Sequence, residues 1–160
     1  MLNISIICVG KIKEAYLKDA INEYSKRLSK YCNLNIVELP DEKLPDKINS
    51  SIIEIIKKKE STKIIDSLKK DSYVIALDLN GKSISSEDFS KKIDNISLNY
   101  NSNISFIIGG TLGLTNDVID CSSESICFSK MTFPHQLIRL FLLEQLFRGF
   151  KISKGETYHW

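Results

Sequence analysis

The sequence has few of the features that mark secreted, membrane-spanning or metal-binding proteins. It contains only two histidines, three prolines and one tryptophan among 160 residues. Two histidines are too few for a usual metal site, so we expect no metal. No apolar run is as long as the roughly 20 residues that span a membrane, and residues 1–10 lack the basic start and small-residue cleavage site of a secretion signal. We therefore expect a cytoplasmic protein that contacts no membrane.

The four cysteines form no recognisable motif. They stand at positions 8, 32, 121 and 127, and these spacings match neither zinc sites nor redox motifs. Cys8 and Cys127 lie inside apolar runs. We expect four reduced thiols, most of them buried.

The net charge is also close to zero, with 22 basic and 20 acidic residues giving +2. A protein that binds RNA mainly by releasing counterions is normally more basic, so the composition leaves the partner open. The chain contains no internal repeat and no low-complexity linker. At 160 residues, with 42% hydrophobic residues, it is expected to form a single domain over residues 1–160.

Short apolar runs alternate with segments of helical periodicity, which predicts an α/β domain with a mostly parallel sheet flanked by helices. The predicted strands are residues 2–9, 34–39, 73–79, 104–108 and 126–128. The predicted helices are residues 15–28, residues 48–68, a helix that follows a cap-like segment Ser85-Ser86-Glu87-Asp88, residues 116–121 with Thr115 as a cap, and a helix that opens at Pro134. Asn80-Gly81 is predicted to form a turn, and Thr132 or Phe133 is predicted at the cap of the last helix, where Thr132 has a capping oxygen.

The last helix is unusually apolar. Between Leu137 and Phe150 its apolar residues point in nearly every direction around the axis. A helix that is apolar all round is buried on all sides. The sheet of the same chain can cover one side, and a second copy of the chain is predicted to cover the other, because two-fold dimers are the commonest assembly. Glu144 and Arg148 stand four residues apart on this helix and can form an ion pair.

Three loops follow the carboxyl ends of predicted strands, where ligands bind in parallel sheets. They begin after Leu77, Ile108 and Phe128. The second loop, Gly109 to Gly113, allows a ligand to approach the backbone closely, but it lacks the spacing of a phosphate or dinucleotide loop, and a plain tight turn is the alternative interpretation. The third loop, Ser129 to Phe133, mixes hydroxyl, ammonium, thioether and aromatic groups, which suits a nucleoside; an ordinary connection is the alternative.

Histidine and aromatic residues near the end of the chain complete the candidates. His135 lies in the first turn of the last helix, where the helix dipole disfavours a protonated ring, so it is expected to be neutral. Tyr158, His159 and Trp160 end the chain with two aromatic rings and an imidazole, which suit stacking on a base; a frayed tail is the alternative. No serine, histidine and acid constellation indicates a hydrolase. The residues alone predict a cytoplasmic α/β ligand-binding domain that dimerises.

Taken together, several segments resemble the RlmH family of SPOUT-class methyltransferases. These segments are Val9-Gly10-Lys11, Ile108-Gly109-Gly110 with Gly113, FSKMTFPHQ (residues 128–136), Glu144-Gln145-x-x-Arg148 and Tyr158-His159. The resemblance covers essentially the whole chain, and FSKMTFPHQ is its most specific part. Members of this family methylate N3 of a pseudouridine in the large-subunit (23S) ribosomal RNA of bacteria.

The resemblance implies a SPOUT-type fold with a C-terminal trefoil knot, a homodimer, and S-adenosyl-L-methionine as methyl donor without a metal. The cofactor contacts that it implies fall on the three loops described above: Leu77, Gly109, Phe128, Ser129, Lys130, Met131, Thr132 and Phe133. The catalytic residues that it implies position the substrate, and the tail of one subunit completes the site of the other: Glu144, Arg148, Tyr158 and His159. We expect His159 to accept the N3 proton, because an unperturbed imidazole titrates near neutral pH.

The low net charge agrees with an enzyme that acts on 23S rRNA within the assembled ribosome, because a small protein without an RNA-binding appendage should bind free RNA poorly. Two other functions remain open: a SPOUT methyltransferase acting on another RNA such as tRNA, and a non-catalytic ribosome-associated protein that binds the cofactor. The chain departs from the family in ending with Trp160, where relatives tend to carry a charged residue, and in Thr111-Leu112 inside the glycine loop.

Overall fold

The computed structural model describes residues 1–158 and confirms the predicted α/β architecture. Its strands form one fully parallel sheet in the order β2-β1-β4-β3-β5. The strands are β1 (Leu2–Val9), β2 (Cys32–Leu39), β3 (Tyr73–Ser83), β4 (Asn103–Ile108) and β5 (Glu124–Cys127). The helices are α1 (Ala15–Leu28), α2 (Ser50–Ser67), α3 (Ser86–Asn99), α4 (Asn116–Cys121) and α5 (His135–Ser153).

Side-chain caps fix where three of the helices begin. The Ser85 hydroxyl accepts a hydrogen bond from the Asp88 N–H at 3.1 Å, and the Thr115 hydroxyl accepts one from the Val118 N–H at 3.4 Å. Asn49 caps α2 in the same way. Each cap satisfies an amide that has no partner in the first turn of a helix. The caps at Ser85 and Thr115 were predicted from the sequence, whereas the cap at Asn49 was not.

The start of α5 differs from the prediction. Pro134 has an extended backbone (ψ 141°) and occupies the position before the helix, so α5 begins at His135. The carbonyl of Pro134 accepts hydrogen bonds from the N–H groups of Leu137 and Ile138, at 3.0 and 3.1 Å. No side-chain oxygen caps this helix, and the predicted cap at Thr132 or Phe133 is therefore wrong.

The predicted turn at Asn80-Gly81 is also wrong, because both residues lie within β3. This strand pairs with β5 up to Leu77, passes through an irregularity, and pairs with β5 again at Lys82 and Ser83. A Cβ atom on Gly81 would lie only 2.7 Å from the backbone of Ile126. The glycine therefore serves the close approach of two strands, which is another established use of this residue.

Helices cover both faces of the sheet. The larger core lies between the sheet and α1, α3 and α5, and a smaller core lies between the sheet and α2 and α4. Helix α4, which follows β4, thus lies on one face of the sheet. Helices α1 and α3, which follow the neighbouring strands β1 and β3, lie on the other face. Ligands in α/β sheets bind at such topological switch points, beyond the carboxyl ends of the strands. Here a switch point lies on each side of β4.

Helix α5 is buried on one side and partly exposed on the other. Leu142 and Leu143 have no exposed surface and pack in the larger core. The opposite side carries Leu137, Ile138 and Leu140, which are half-buried, and Phe141, which is 36% exposed. Among residues 1–158, no helix, α5 included, is long and apolar enough to cross a membrane.

All four cysteines are free thiols, as predicted. Cys8, Cys32 and Cys127 are buried and Cys121 is exposed. Burial raises the pKa of Cys8 and of Cys32 to about 12, so both remain protonated at neutral pH. Within the described part of the chain, no group of three or more histidine, cysteine or acidic side chains could hold a metal ion.

Candidate cofactor pocket and charged cluster

The main cavity of the molecule opens at the carboxyl ends of β4, β3 and β5 and has a volume of about 650 Å³. Since all strands are parallel, their carboxyl ends meet at this edge of the sheet, and the three predicted loops come together here. The lining comprises residues 77–79, 108–111, 113–114, 126–129, 131–136 and 138. A cavity of this size and partly apolar character fits a nucleoside-sized ligand.

Seven of the eight residues predicted to contact a cofactor line this pocket: Leu77, Gly109, Phe128, Ser129, Met131, Thr132 and Phe133. The eighth, Lys130, does not line it and is exposed to solvent. The structure therefore brings together residues that lie 56 positions apart in the sequence, from Leu77 to Phe133. Their role in binding a cofactor remains a prediction.

The loop from Ser129 to Phe133 is held in place by local contacts. The Cys127 thiol donates to the Ser129 carbonyl at 2.9 Å, and the Met131 N–H donates to the Ser129 hydroxyl at 3.0 Å. The Phe133 ring packs edge-on against Phe141, with 5.3 Å between the ring centroids. These contacts give the pocket a preformed wall with apolar rings, which suits a flat aromatic ligand.

The glycine loop on the opposite side is a tight turn as well as part of the pocket. The Gly113 N–H donates to the Gly110 carbonyl at 3.0 Å, and Gly113 has a φ of +79°, which favours glycine. A Cβ atom on Gly109 would lie 2.9 Å from the Leu114 side chain. Both interpretations of this loop, tight turn and close backbone approach, are thus compatible with the structure.

His135 lies where α5 meets the pocket and is half-buried. Burial lowers its pKa from the usual 6.5, and the positive charge of Arg139 lowers it further. Both effects favour the neutral imidazole that was predicted from the sequence. A Cβ atom on Gly10 would lie 3.2 Å from Nε2 of His135, so the chain after β1 passes close to this ring.

This lowered pKa gives a stability test. In the unfolded chain, His135 titrates with the usual pKa of 6.5. Below this pH the unfolded chain therefore binds more protons at His135 than the folded chain does. The contribution of His135 to the free energy of unfolding is therefore complete above that pH and is lost as the pH falls. We expect a His135→Asn variant to lose less stability than the wild type between about pH 7.5 and about pH 5 in urea unfolding. Equal losses in the two proteins would contradict the assignment.

Arg139 is a buried, charged side chain beside the pocket that was not predicted from the sequence. It is 1% exposed, and its guanidinium donates to Glu38 Oε2 at 2.7 Å and to the Gly10 carbonyl at 3.1 Å. Burial alone would raise the pKa of Glu38, but the Ile12 N–H and Arg139 outweigh burial and hold the pKa below its usual range. The arginine thus fixes α5 to the ends of β1 and β2 beside the pocket. An arginine within an otherwise apolar helical run was the available signal.

A second group of predicted residues meets on α5, further along the helix. Arg148 pairs with Glu144 at 2.7 Å, as predicted, and the Tyr158 hydroxyl donates to the same Glu144 oxygen at 3.1 Å. The Arg148 guanidinium also lies over the Tyr158 ring, 4.8 Å from its centroid. We call Glu144, Arg148 and Tyr158 the charged cluster. The fourth predicted member, His159, lies outside the described residues.

The chain reverses direction after α5, and this reversal brings Tyr158 back to the helix. Gly155 has a φ of +64°. Its N–H donates to the Ile152 carbonyl at 3.0 Å, and the Glu156 N–H donates to the Lys151 carbonyl at 2.9 Å. This pair of bonds around a left-handed glycine is a Schellman motif, which ends a helix and turns the chain back.

Side-chain contacts then fix the returning segment. The Tyr31 hydroxyl donates to Glu156 Oε2 at 2.8 Å, and Lys151 forms an ion pair with the same carboxylate. The Tyr158 ring packs edge-on against Phe147, with 5.0 Å between centroids. Burial, together with hydrogen bonding to Tyr24 and the charge of Glu144, raises the pKa of Tyr158 to about 12. Up to Tyr158 the tail is thus packed on its own α5 and not frayed.

Within the described chain the charged cluster and the pocket are separate. Ile138 is the last residue of α5 that lines the pocket, and no member of the cluster lines it. Glu144 follows six positions later, which is about 9 Å along a helix axis. The two groups of predicted residues therefore lie at two different places in the molecule, next to different parts of α5.

Comparisons with known proteins identify the family. A family model described as "Predicted SPOUT methyltransferase" matches residues 2–159. Proteins named "Ribosomal RNA large subunit methyltransferase H" from Clostridium botulinum (strain Alaska E43 / Type E3) and Clostridium acetobutylicum are 61% and 56% identical to this chain over 158 residues, which is 99% of each chain. The solved structure of "a probable methylase family protein from Haemophilus influenzae Rd KW20" has the same fold, with a TM-score of 0.56 at 12% identity over 98% of this chain and 70% of that one. The chain therefore belongs to the SPOUT methyltransferases and, within them, to the RlmH family.

Proposed function

We propose that this protein transfers a methyl group from S-adenosylmethionine to N3 of a pseudouridine in large-subunit ribosomal RNA. The observation that carries the proposal is the 650 Å³ pocket formed by the three predicted loops, in a chain that is 61% identical along its length to a protein named as a ribosomal RNA large subunit methyltransferase. Neither the pocket nor the name alone would assign the substrate; together they favour this reaction over other SPOUT activities.

The pocket fits the nucleoside part of the proposed cofactor. Phe128 and Phe133 provide ring surfaces, Leu77 an aliphatic one, and Gly109 brings the backbone within reach of a ligand. Backbone groups at the strand ends can read the polar edge of an adenine without any charged side chain. When bound, S-adenosylmethionine supplies an electrophilic methyl carbon on a sulfonium.

The charged cluster is proposed to hold the substrate ring. Arg148 contributes a positive charge and Tyr158 an aromatic ring, and Glu144 holds the two side chains together. N3 of the pseudouridine must lose its proton as it attacks the methyl carbon, and the carbon–sulfur bond breaks to leave S-adenosylhomocysteine. His159 is proposed to accept that proton. Because the sulfonium is a good leaving group, the main task of these residues is orientation, which can contribute about 7–11 kcal/mol.

A homodimer would bring the two halves together. The partly exposed side of α5 carries Leu137, Ile138 and Phe141 close to the pocket. If two protomers pack through this side, the charged cluster of one can reach the pocket of the other, which explains why they are separate in a single protomer. The trefoil knot of the C-terminal region, cytoplasmic localisation and action without a metal belong to the same proposal.

The proposed substrate is the assembled ribosome. With a net charge of only +2, the protein has little general attraction to free RNA, so recognition has to rest on a shaped surface. A tRNA substrate, or a non-catalytic role on the ribosome, would leave the same pocket in place. These alternatives differ in which RNA, if any, receives the methyl group.

The test offers labelled S-adenosylmethionine and the enzyme to intact ribosomes, isolated large subunits, naked ribosomal RNA and tRNA. We expect label only in the large-subunit RNA of intact ribosomes, at N3 of one pseudouridine when the RNA is digested and mapped by mass spectrometry. Label in tRNA would replace the proposal with the first alternative. Cofactor binding without any labelled RNA would replace it with the second.

A further inference from the structure

A second, smaller cavity lies at the other switch point of the sheet, between the carboxyl ends of β1 and β4. Its volume is about 200 Å³. It shares Gly110, Thr111 and His135 with the main pocket, so the two cavities meet at the glycine loop. We call this second cavity the acidic crevice, because Asp41, Glu42 and Glu60 line it, with Lys43 as the one lysine in its lining.

Glu60 is the unusual residue of the acidic crevice. Its side chain belongs to α2 and is only 6% exposed. One carboxylate oxygen, Oε2, accepts a hydrogen bond from the Glu42 N–H at 3.3 Å. The other, Oε1, has no hydrogen-bond partner within residues 1–158 and lies 3.5 Å from the position that a Cβ atom on Gly110 would occupy. The free oxygen is therefore directed at the glycine loop, where the two cavities meet.

Among the described residues, no cation forms an ion pair with this carboxylate. Lys63 is paired with Glu42, at 2.8 Å, and acts on Glu60 only through its charge. Burial raises the pKa of Glu60, and the charges of Asp41 and Glu42 raise it further, whereas the Glu42 N–H and the charge of Lys63 act in the opposite direction. Burying a carboxylate that has one hydrogen bond and no ion pair opposes folding. A ligand with a positive charge would supply the missing ion pair.

We infer that the acidic crevice is a subsite for a primary ammonium group, with Glu60 as its anchor. The identity of this group rests on the proposed function: it is the α-ammonium of the methionine part of the cofactor. The nucleoside part of the cofactor occupies the main pocket. The shared residues Gly110 and Thr111 form the path between the two parts, and the missing side chain of Gly110 keeps that path open. Glu60 thus recognises the cofactor by charge, where the main pocket recognises it by shape.

The test compares two ligands that differ only in this ammonium group: S-adenosylhomocysteine and its analogue in which hydrogen replaces the α-amino group. Isothermal titration calorimetry is performed on the full-length protein. The wild type should bind S-adenosylhomocysteine about tenfold more tightly than the analogue, the size expected for one charge-assisted hydrogen bond. The Glu60→Gln variant should bind both ligands with similar affinity, because it removes only the charge.

Glu54→Gln is the matched control, since Glu54 is an exposed glutamate on the same helix; it should keep the tenfold preference. Similar affinities of the wild type for the two ligands would overturn the inference, whatever the variant does, and would leave the proposed function intact. A Glu60→Gln variant that keeps the tenfold preference would also overturn the inference and leave the proposed function intact. A wild type that binds neither ligand would instead overturn the proposed cofactor, and the subsite with it.

Discussion

An Arg148→Ala variant is expected to methylate ribosomes at least about a hundredfold more slowly than the wild type, with an unchanged affinity for S-adenosylmethionine. Arg148 pairs with Glu144 and lies over the ring of Tyr158, so its loss releases both from their present geometry. A misplacement of about 1 Å is enough for an effect of this size. The affinity stays the same because the cluster is proposed to hold the substrate ring, and none of its three residues lines the cofactor pocket of its own chain. Single-turnover methyl transfer and calorimetric titration of the cofactor measure the two quantities.

Arg27 provides the control for this prediction. Its guanidinium also lies near the Phe147 ring, at 5.8 Å from the centroid, but its side chain is 42% exposed and pairs with Glu23 on the surface of α1. Arg27→Ala should therefore keep most of the methyl transfer rate. A normal rate in Arg148→Ala, or a loss of cofactor affinity that accounts for the whole loss of rate, would contradict the proposed role of the charged cluster.

The second large effect concerns stability. Arg139→Met should lower the free energy of unfolding by about 3 kcal/mol, because the buried guanidinium bonds Glu38 and the Gly10 carbonyl and both lose their donor. This is the lower end of the range for a broken buried pair, since the Glu38 side chain is 37% exposed and keeps contact with water. The midpoint of urea unfolding, at unchanged slope, measures the change.

The double variant Arg139→Met with Glu38→Gln separates charge from packing. Removing the carboxylate's charge as well should recover part of the lost stability, because the double variant leaves no unpaired charge. If the double variant loses more unfolding free energy than the two single variants together, the ion pair is not the reason for the effect. A single Arg139→Met variant with wild-type stability would contradict the assignment from the start.

Local sequence signals predicted local structure well. The bounds of α1 and α4 agree with the prediction, because periodic apolar residues and a capping threonine are adjacent in sequence to the helices they define. The pocket was predicted for a related reason: parallel strands end at one edge of a sheet, so the loops after Leu77, Ile108 and Phe128 had to meet. The family resemblance named the same three loops.

The errors came from residues whose role depends on distant partners. Asn80-Gly81 has the composition of a turn, but it continues β3 because β5 passes 2.7 Å from where a Gly81 side chain would begin. Arg139 and Glu38 are 101 residues apart in sequence, and Glu60 and Gly110, which lie next to each other in the structure, are 50 residues apart. A buried charge looks like an exposed one in a sequence until the fold shows what surrounds it.

The Schellman motif at Gly155 bears on how a dimeric site would assemble. A disordered tail that becomes ordered only on meeting its partner gives up several kcal/mol, roughly 2–5, of its binding free energy to that ordering. Here Tyr158 is already docked on Phe147 and Glu144 of its own α5, with Glu156 held by Tyr31. The entropy of fixing the segment up to Tyr158 is therefore lost when the monomer folds. Two such monomers would associate without also having to order this segment, so its ordering cost would not be subtracted from the energy of their contact.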